Sequence, residues 1–263
     1  MKKTPINALL GVKYPIIMAP MFLVTNTKMM IEAMNSGIAA CIPALNYRTV
    51  EELRIAIQRI KKEAKGPLGI NLIVNKSNFL YKEQLKVCCE EKIDYIITSL
   101  GSPEETIKEA SKAGVKVFCD VVDINYAKKV EALGADALIA VNKEAGGHAG
   151  PMSFKELVPL LKKECKIPVI SAGGVGNGFE MAEIAKCGAD GFSMGSIFIA
   201  STEAGVSDDY KNRIDDSIIQ KEKFDKLHLK REIEILQKRL DFVTSMKDGL
   251  VEQDANMNEI KYF

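Results

Sequence analysis

Eight short apolar runs recur along this chain, each followed by a segment of helical character, and that alternation leaves few folds open. The runs are Ile16–Ala19, Ile38–Ile42, Leu68–Val74, Tyr95–Leu100, Val115–Val122, Ala137–Val141, Pro168–Ala172 and Gly191–Met194. They are almost continuously apolar rather than alternating, as expected of parallel strands covered on both faces. Between them, helices are expected over Thr27–Ser36, from the N-cap Thr49 to about Ala64, and over Lys82–Glu91, Pro103–Ala113, Asn125–Leu133, Ser153–Cys165 and Gly178–Cys187. A short one at Ile197–Ser201 follows the last run. Glu51 and Glu52 fall in the first turn after Thr49, and Glu156 stands three residues after Ser153 as in a capping box. Gly114 and Gly134 close their helices and turn the chain back toward the sheet.

Eight similar units with no linker between Met1 and Ser201 predict an α/β fold, a (β/α)8 TIM barrel, an architecture that takes about 250 residues. An open, doubly wound sheet is the other arrangement such a pattern permits. Residues 1–205 are read as the barrel, 206–246 as an amphipathic helical extension completing or flanking it, and 247–263 as a polar tail. In the extension Leu229, Ile233, Leu236, Leu240 and Val243 form a stripe, suited to the barrel wall or to a second subunit in a homodimer.

Thirty-six basic and 35 acidic residues give a net charge of +1, so no global field favours nucleic acid or an anionic membrane surface. No apolar stretch has the length of a signal or membrane-spanning segment, and a cytoplasmic, soluble protein is expected. The six cysteines are scattered without a CxxC or metal-ligand spacing, which suits reduced thiols.

In barrels of this kind chemistry sits at the C-terminal ends of the strands, with phosphate commonly bound after the last two. Glycines gather there: Ser171-Ala172-Gly173-Gly174 ends the seventh run, and Ser193-Met194-Gly195-Ser196 ends the eighth. Their backbone N–H groups, with the Ser196 hydroxyl, suit a phosphate dianion. Neither a P-loop lysine nor an opening GxGxxG is present, which disfavours a nucleoside triphosphate or a Rossmann dinucleotide. After the sixth run comes Glu144-Ala145-Gly146-Gly147-His148-Ala149-Gly150, carrying one of the two histidines of the chain. Glycines permit close approach to a flat group, and a neutral imidazole moves protons near pH 7. Asn71 interrupts an apolar strand, and its amide suits the edge of a heteroaromatic ring. Ala19-Pro20-Met21, ending the first run, offers a surface against which such a ring can lie.

These stretches resemble the nitronate monooxygenase family, formerly called 2-nitropropane dioxygenases, which includes the flavin-dependent enoyl-acyl-carrier-protein reductase II. The resemblance rests on Pro15–Met21, Gly69–Leu72, Glu144–Gly150, Pro168–Gly174 and Gly191–Ser196, which occur in order. It implies a barrel that binds FMN, with Gly173, Gly174, Met194, Gly195 and Ser196 around the phosphate and Asn71 and Gly146 near the ring. It also implies His148 as the catalytic base, a nitronate or nitroalkane as substrate, and dioxygen as the oxidant. At Val141 the family commonly carries Gln or Glu. The competing readings are an NAD(P)H-dependent reductase of enoyl thioesters, a flavin-binding protein with little activity, and a non-flavin phosphate-binding barrel.

Overall fold

Each of the eight apolar runs is a strand in the computed structural model, which describes residues 3–214. In chain order the elements are α1 (Pro5–Leu10), β1 (Ile16–Met18), α2 (Thr27–Asn35), β2 (Ala39–Pro43), α3 (Val50–Glu63), β3 (Leu68–Ile73), α4 (Tyr81–Glu90) and β4 (Tyr95–Ser99). There follow α5 (Glu104–Ala113), β5 (Lys116–Val121), α6 (Ile124–Ala132), β6 (Ala137–Val141), α7 (Phe154–Glu164), β7 (Val169–Ala172), α8 (Gly178–Lys186), β8 (Gly191–Met194) and α9 (Ser196–Ile199). The strands pair in sequence order, all parallel, and β8 returns to β1 through Ile16 with Phe192 and Met18 with Met194. The sheet is therefore a closed barrel, not an open one.

Local chemistry sets these elements. In α3 the Thr49 hydroxyl accepts from the Glu52 N–H and the Glu52 carboxylate accepts from the Thr49 N–H, while Leu53, Ala56, Ile57 and Ile60 form the buried stripe. Gly114 ends α5 at φ 73°, a left-handed cap that costs glycine nothing. Helix α1 was not expected from the sequence, because six residues opening on a proline carry too little periodicity. It plugs the N-terminal end of the barrel, where Ile6 and Leu10 pack with Ile17, Ala39, Tyr95, Phe118 and Ile170.

That interior cluster separates from a larger one between strands and helices, so each strand buries both faces. At the N-terminal end three aspartates stitch neighbouring strands. Asp94, Asp136 and Asp190 precede β4, β6 and β8, and each accepts the N–H of the residue opening or following the start of the previous strand: Leu68 at 2.8 Å, Val117 at 2.7 Å and Val169 at 2.8 Å. Conserving strand ends in this way leaves the opposite end free for loops. All six cysteines are unpaired, and four are buried. No helix among the described residues is long and apolar enough to cross a membrane.

The chain divides into two units, Met1–Ile214 and Asp215–Phe263. Of the expected extension, residues 208–214 are helical; the stripe from Leu229 to Val243 and the polar tail lie outside the described residues.

Candidate active site

The C-terminal strand ends gather the residues singled out from sequence. Ser171 and Ser193 lie on β7 and β8, whose register pairs Ala172 with Ser193, so the two glycine-rich ends leave the barrel side by side. The backbone N–H groups of Gly173, Gly174, Gly195 and Ser196 meet no acceptor among the described residues. Gly173 and Gly174 both hold left-handed backbone, at φ 106° and 76°. Strand β1 joins them: the Ala19 N–H donates to the Met194 carbonyl at 2.8 Å, and Met21 Sδ lies 3.4 Å from where a Cβ on Gly195 would stand. Ala19-Pro20-Met21 and Met194-Gly195-Ser196 are thus one surface.

The loop after β6 is pinned at both ends and open between. Asn142 is fully buried; its Oδ1 accepts from the Glu144 N–H at 3.0 Å, and its Nδ2 donates to the Gly173 carbonyl at 3.2 Å. Nδ2 also lies 3.4 Å from Ser171 Oγ, which is itself buried beneath the end of β7. At the far end a Cβ on Gly150 would stand 2.6 Å from the Val141 carbonyl oxygen, so that glycine seats the loop on its own strand. Between these anchors Gly146, Gly147 and His148 are exposed. His148 has no hydrogen-bond partner among the described residues.

The glycines of this region differ in why they are glycine. A Cβ on Gly173 would fall 2.4 Å from the Ala145 nitrogen, so packing against the histidine loop forbids one. Gly147 needs its φ of 74°. Gly146 has neither reason: its φ is not left-handed and nothing among the described residues lies within 4 Å of the place a Cβ would occupy.

On the opposite wall Asn71 is buried and part of a polar chain that the sequence reading missed. Its Nδ2 donates to the Ile97 carbonyl at 3.1 Å and to Ser99 Oγ at 2.8 Å, and Ser99 Oγ donates to Asp120 Oδ2 at 2.6 Å. Burial pushes the Asp120 carboxyl up to about 6, against a downward pull from the Ser99 hydrogen bond. The signal that found Asn71, a polar residue in an apolar strand, was equally present at Ser99 and Asp120. Asn142, just past a strand end, gave no such signal.

The profile of the family described as nitronate monooxygenase matches residues 75–248, which include the histidine loop and both glycine-rich ends. The chain belongs to the nitronate monooxygenase family. A nitronate monooxygenase of Paraburkholderia phytofirmans is 36% identical over 140 residues, covering 49% of this chain and 38% of that one. A (3aS,4S,5R,7aS)-5-hydroxy-7a-methyl-1-oxo-octahydro-1H-indene-4-carboxyl-CoA dehydrogenase of Rhodococcus jostii is 31% identical over 210 residues, 80% of this chain. This chain spans 59% of the length of that relative. Among solved structures, FabK from Thermotoga maritima superposes with a TM-score of 0.76 at 32% identity, over 81% of this chain and 67% of that one. Within this family fold, Asn71 and the β1 surface lie before the part the profile matches, yet the barrel brings them to the same end as the histidine loop.

Proposed function

We propose that this chain is an FMN-dependent oxidoreductase that oxidises alkyl nitronates and nitroalkanes with dioxygen, with His148 as the base. The observation that carries the reading is the row of acceptor-free N–H groups at Gly173, Gly174, Gly195 and Ser196, beside a glycine loop that presents His148. Family membership adds to it.

The residues fit the cofactor. Backbone donors converging from two adjacent strand ends suit its phosphate dianion. Gly146 is glycine without a packing reason among the described residues, and a flat ring system lying against it would supply one. Asn71, Gly147 and Ala19-Pro20-Met21, all at this end of the barrel, would hold the ring system. Ser171 and Ser193, both buried on the last two strands, would line the phosphate side of the site. When bound, FMN supplies the redox chemistry between substrate and dioxygen.

The chain's own part is acid-base and positional. The carbon beside a nitro group is acidic enough for a neutral imidazole to deprotonate, whereas an ordinary methylene is not. His148, exposed on the open part of its loop, takes that proton; a substrate supplied as nitronate has already lost it.

A second reading, an NAD(P)H-dependent reductase of enoyl thioesters, draws support from a different observation. Phe22, Leu23, Leu45, Phe79, Leu100 and Phe179 are exposed on segments that follow the strands, a setting for a bulky apolar acyl group. The similarity to FabK and to a CoA-thioester dehydrogenase points the same way.

The test is reconstitution of the full chain with FMN, followed by oxygen uptake with ethyl nitronate and, separately, NADH oxidation with an enoyl thioester. Oxygen uptake with the nitronate supports the first reading. NADH-driven thioester reduction without nitronate turnover selects the second, and a protein that takes up no FMN sinks both.

A further inference from the structure

Asp120 is the one carboxylate carried by any of the eight strands. Its side chain faces the barrel interior: Phe118, two residues earlier, belongs to the interior cluster, as do Tyr95 and Ile97 ahead of Ser99. Asn71 stands two residues after Gly69, which lies against the interior ring of Tyr95. Three neighbouring strands therefore place Asn71, Ser99 and Asp120 side by side at the mouth.

Their hydrogen bonds have a direction. The Ile97 carbonyl can only accept, so Asn71 must turn Nδ2 toward it, and the amide orientation is fixed by that partner. Ser99 has a single proton and gives it to Asp120, so its oxygen accepts the second Nδ2 hydrogen. Both amide hydrogens are then used, and Oδ1 is left with no donor among the described residues.

We propose that Asp120 is a positioning residue that, acting through Ser99, holds Asn71 as a pure hydrogen-bond acceptor for an N–H donor on the bound ligand. On the function proposed above, on which this inference rests, that donor is the imide N–H of the FMN ring system. An amide that must accept discriminates against ligands presenting only a carbonyl at that edge, because a buried acceptor left unmatched is costly.

The ionised form of Asp120 makes the Ser99 bond charge-assisted, and protonation removes that assistance and lets the hydroxyl reverse. The ionisable groups coupled to Asp120 are Cys41 on β2, Cys119 beside it on β5 and Tyr126 on α6. All are raised by burial and stay uncharged near pH 6, so the switch is that of Asp120.

The experiment has two arms on the full chain. In the cofactor-free protein, the side-chain amide resonances of Asn71, assigned by their loss in Asn71→Asp, should titrate near pH 6 and cease to do so in Ser99→Ala. In the second arm FMN affinity is measured by fluorescence quenching from pH 5 to 8. Wild type should weaken several-fold as pH falls through about 6. Asp120→Leu and Ser99→Ala should weaken binding about tenfold at pH 7 and keep only the pH dependence that the FMN phosphate, which itself titrates at about pH 6, gives every variant. Asp120→Asn, which keeps an acceptor but does not titrate, should bind far better than Asp120→Leu, also with the phosphate's pH dependence alone. An Asn71 amide that ignores pH overturns the relay whether or not FMN binds. Asp120→Leu and Ser99→Ala proteins that bind FMN like wild type, with its pH profile, overturn it while leaving the cofactor reading intact.

Discussion

The ring of Tyr95 fills the space in which a Cβ on Gly69 would stand, with Cζ only 2.3 Å from that position. The same ring stacks on Phe118 at 5.0 Å and is fully buried, and its hydroxyl is a buried polar atom with no hydrogen-bond partner among the described residues. Gly69 is therefore glycine because of its neighbour on β4, not because of its own backbone. Gly69→Ala should destabilise the barrel by about 3 kcal/mol, since a stacked ring inside a barrel cannot step aside. Tyr95→Phe removes the orphaned hydroxyl and should be neutral or stabilising by about 1 kcal/mol. Urea denaturation of both variants checks the pair.

His148→Ala should leave folding unchanged, because the side chain is exposed and makes no hydrogen bond among the described residues. Turnover of neutral nitroalkanes should fall by about 100-fold or more, the contribution expected of a general base. Preformed nitronates should be affected far less. Steady-state oxygen uptake on both forms measures the difference, and equal losses would remove the base role.

Gly146 and Gly173 separate ligand contact from packing. Gly146→Ala meets open space, so thermal stability should hold while FMN affinity drops. Gly173→Ala meets the Ala145 nitrogen and Asn142 Oδ1, both at 2.4 Å, in a left-handed backbone, and should cost stability as well as affinity. Melting curves with and without FMN distinguish the two patterns.

Asp190 belongs to the other end of the barrel. Its Oδ2 accepts from the Val169 N–H at 2.8 Å and from Lys162 Nζ at 2.7 Å. Asp190→Ala should cost about 2 kcal/mol, the range for a lost hydrogen bond to a charged group, without changing FMN affinity. Chemical denaturation and a flavin titration on one preparation test both halves.

Asp120 fixes a pH dependence of stability. Its carboxyl is raised to about 6 in the folded protein against an ordinary value of about 3.9 in the unfolded chain. Between those values the native state holds the proton and the unfolded state has released it, so this group's contribution to stability falls as pH rises from about 4 to 6. Asp120→Asn does not titrate. Its melting temperature should match wild type near pH 4 and exceed it at pH 7; a gap that narrows with rising pH contradicts the assignment.

The order of strands and helices was legible from local signals alone: continuous apolar runs, the Thr49 and Ser153 caps, and the glycine at 114. So were the two glycine-rich ends, the histidine loop and Asn71. The sequence therefore determined the repeating unit and most of the residues at one end of it. Tertiary structure decided what each of them faces. In a parallel barrel both faces of a strand are buried, so apolar runs carry no alternation to say which side chains look inward. Only closure of β8 onto β1, with its register, turns Asn71, Ser99 and Asp120 into the mouth and seats Ser171 against Asn142.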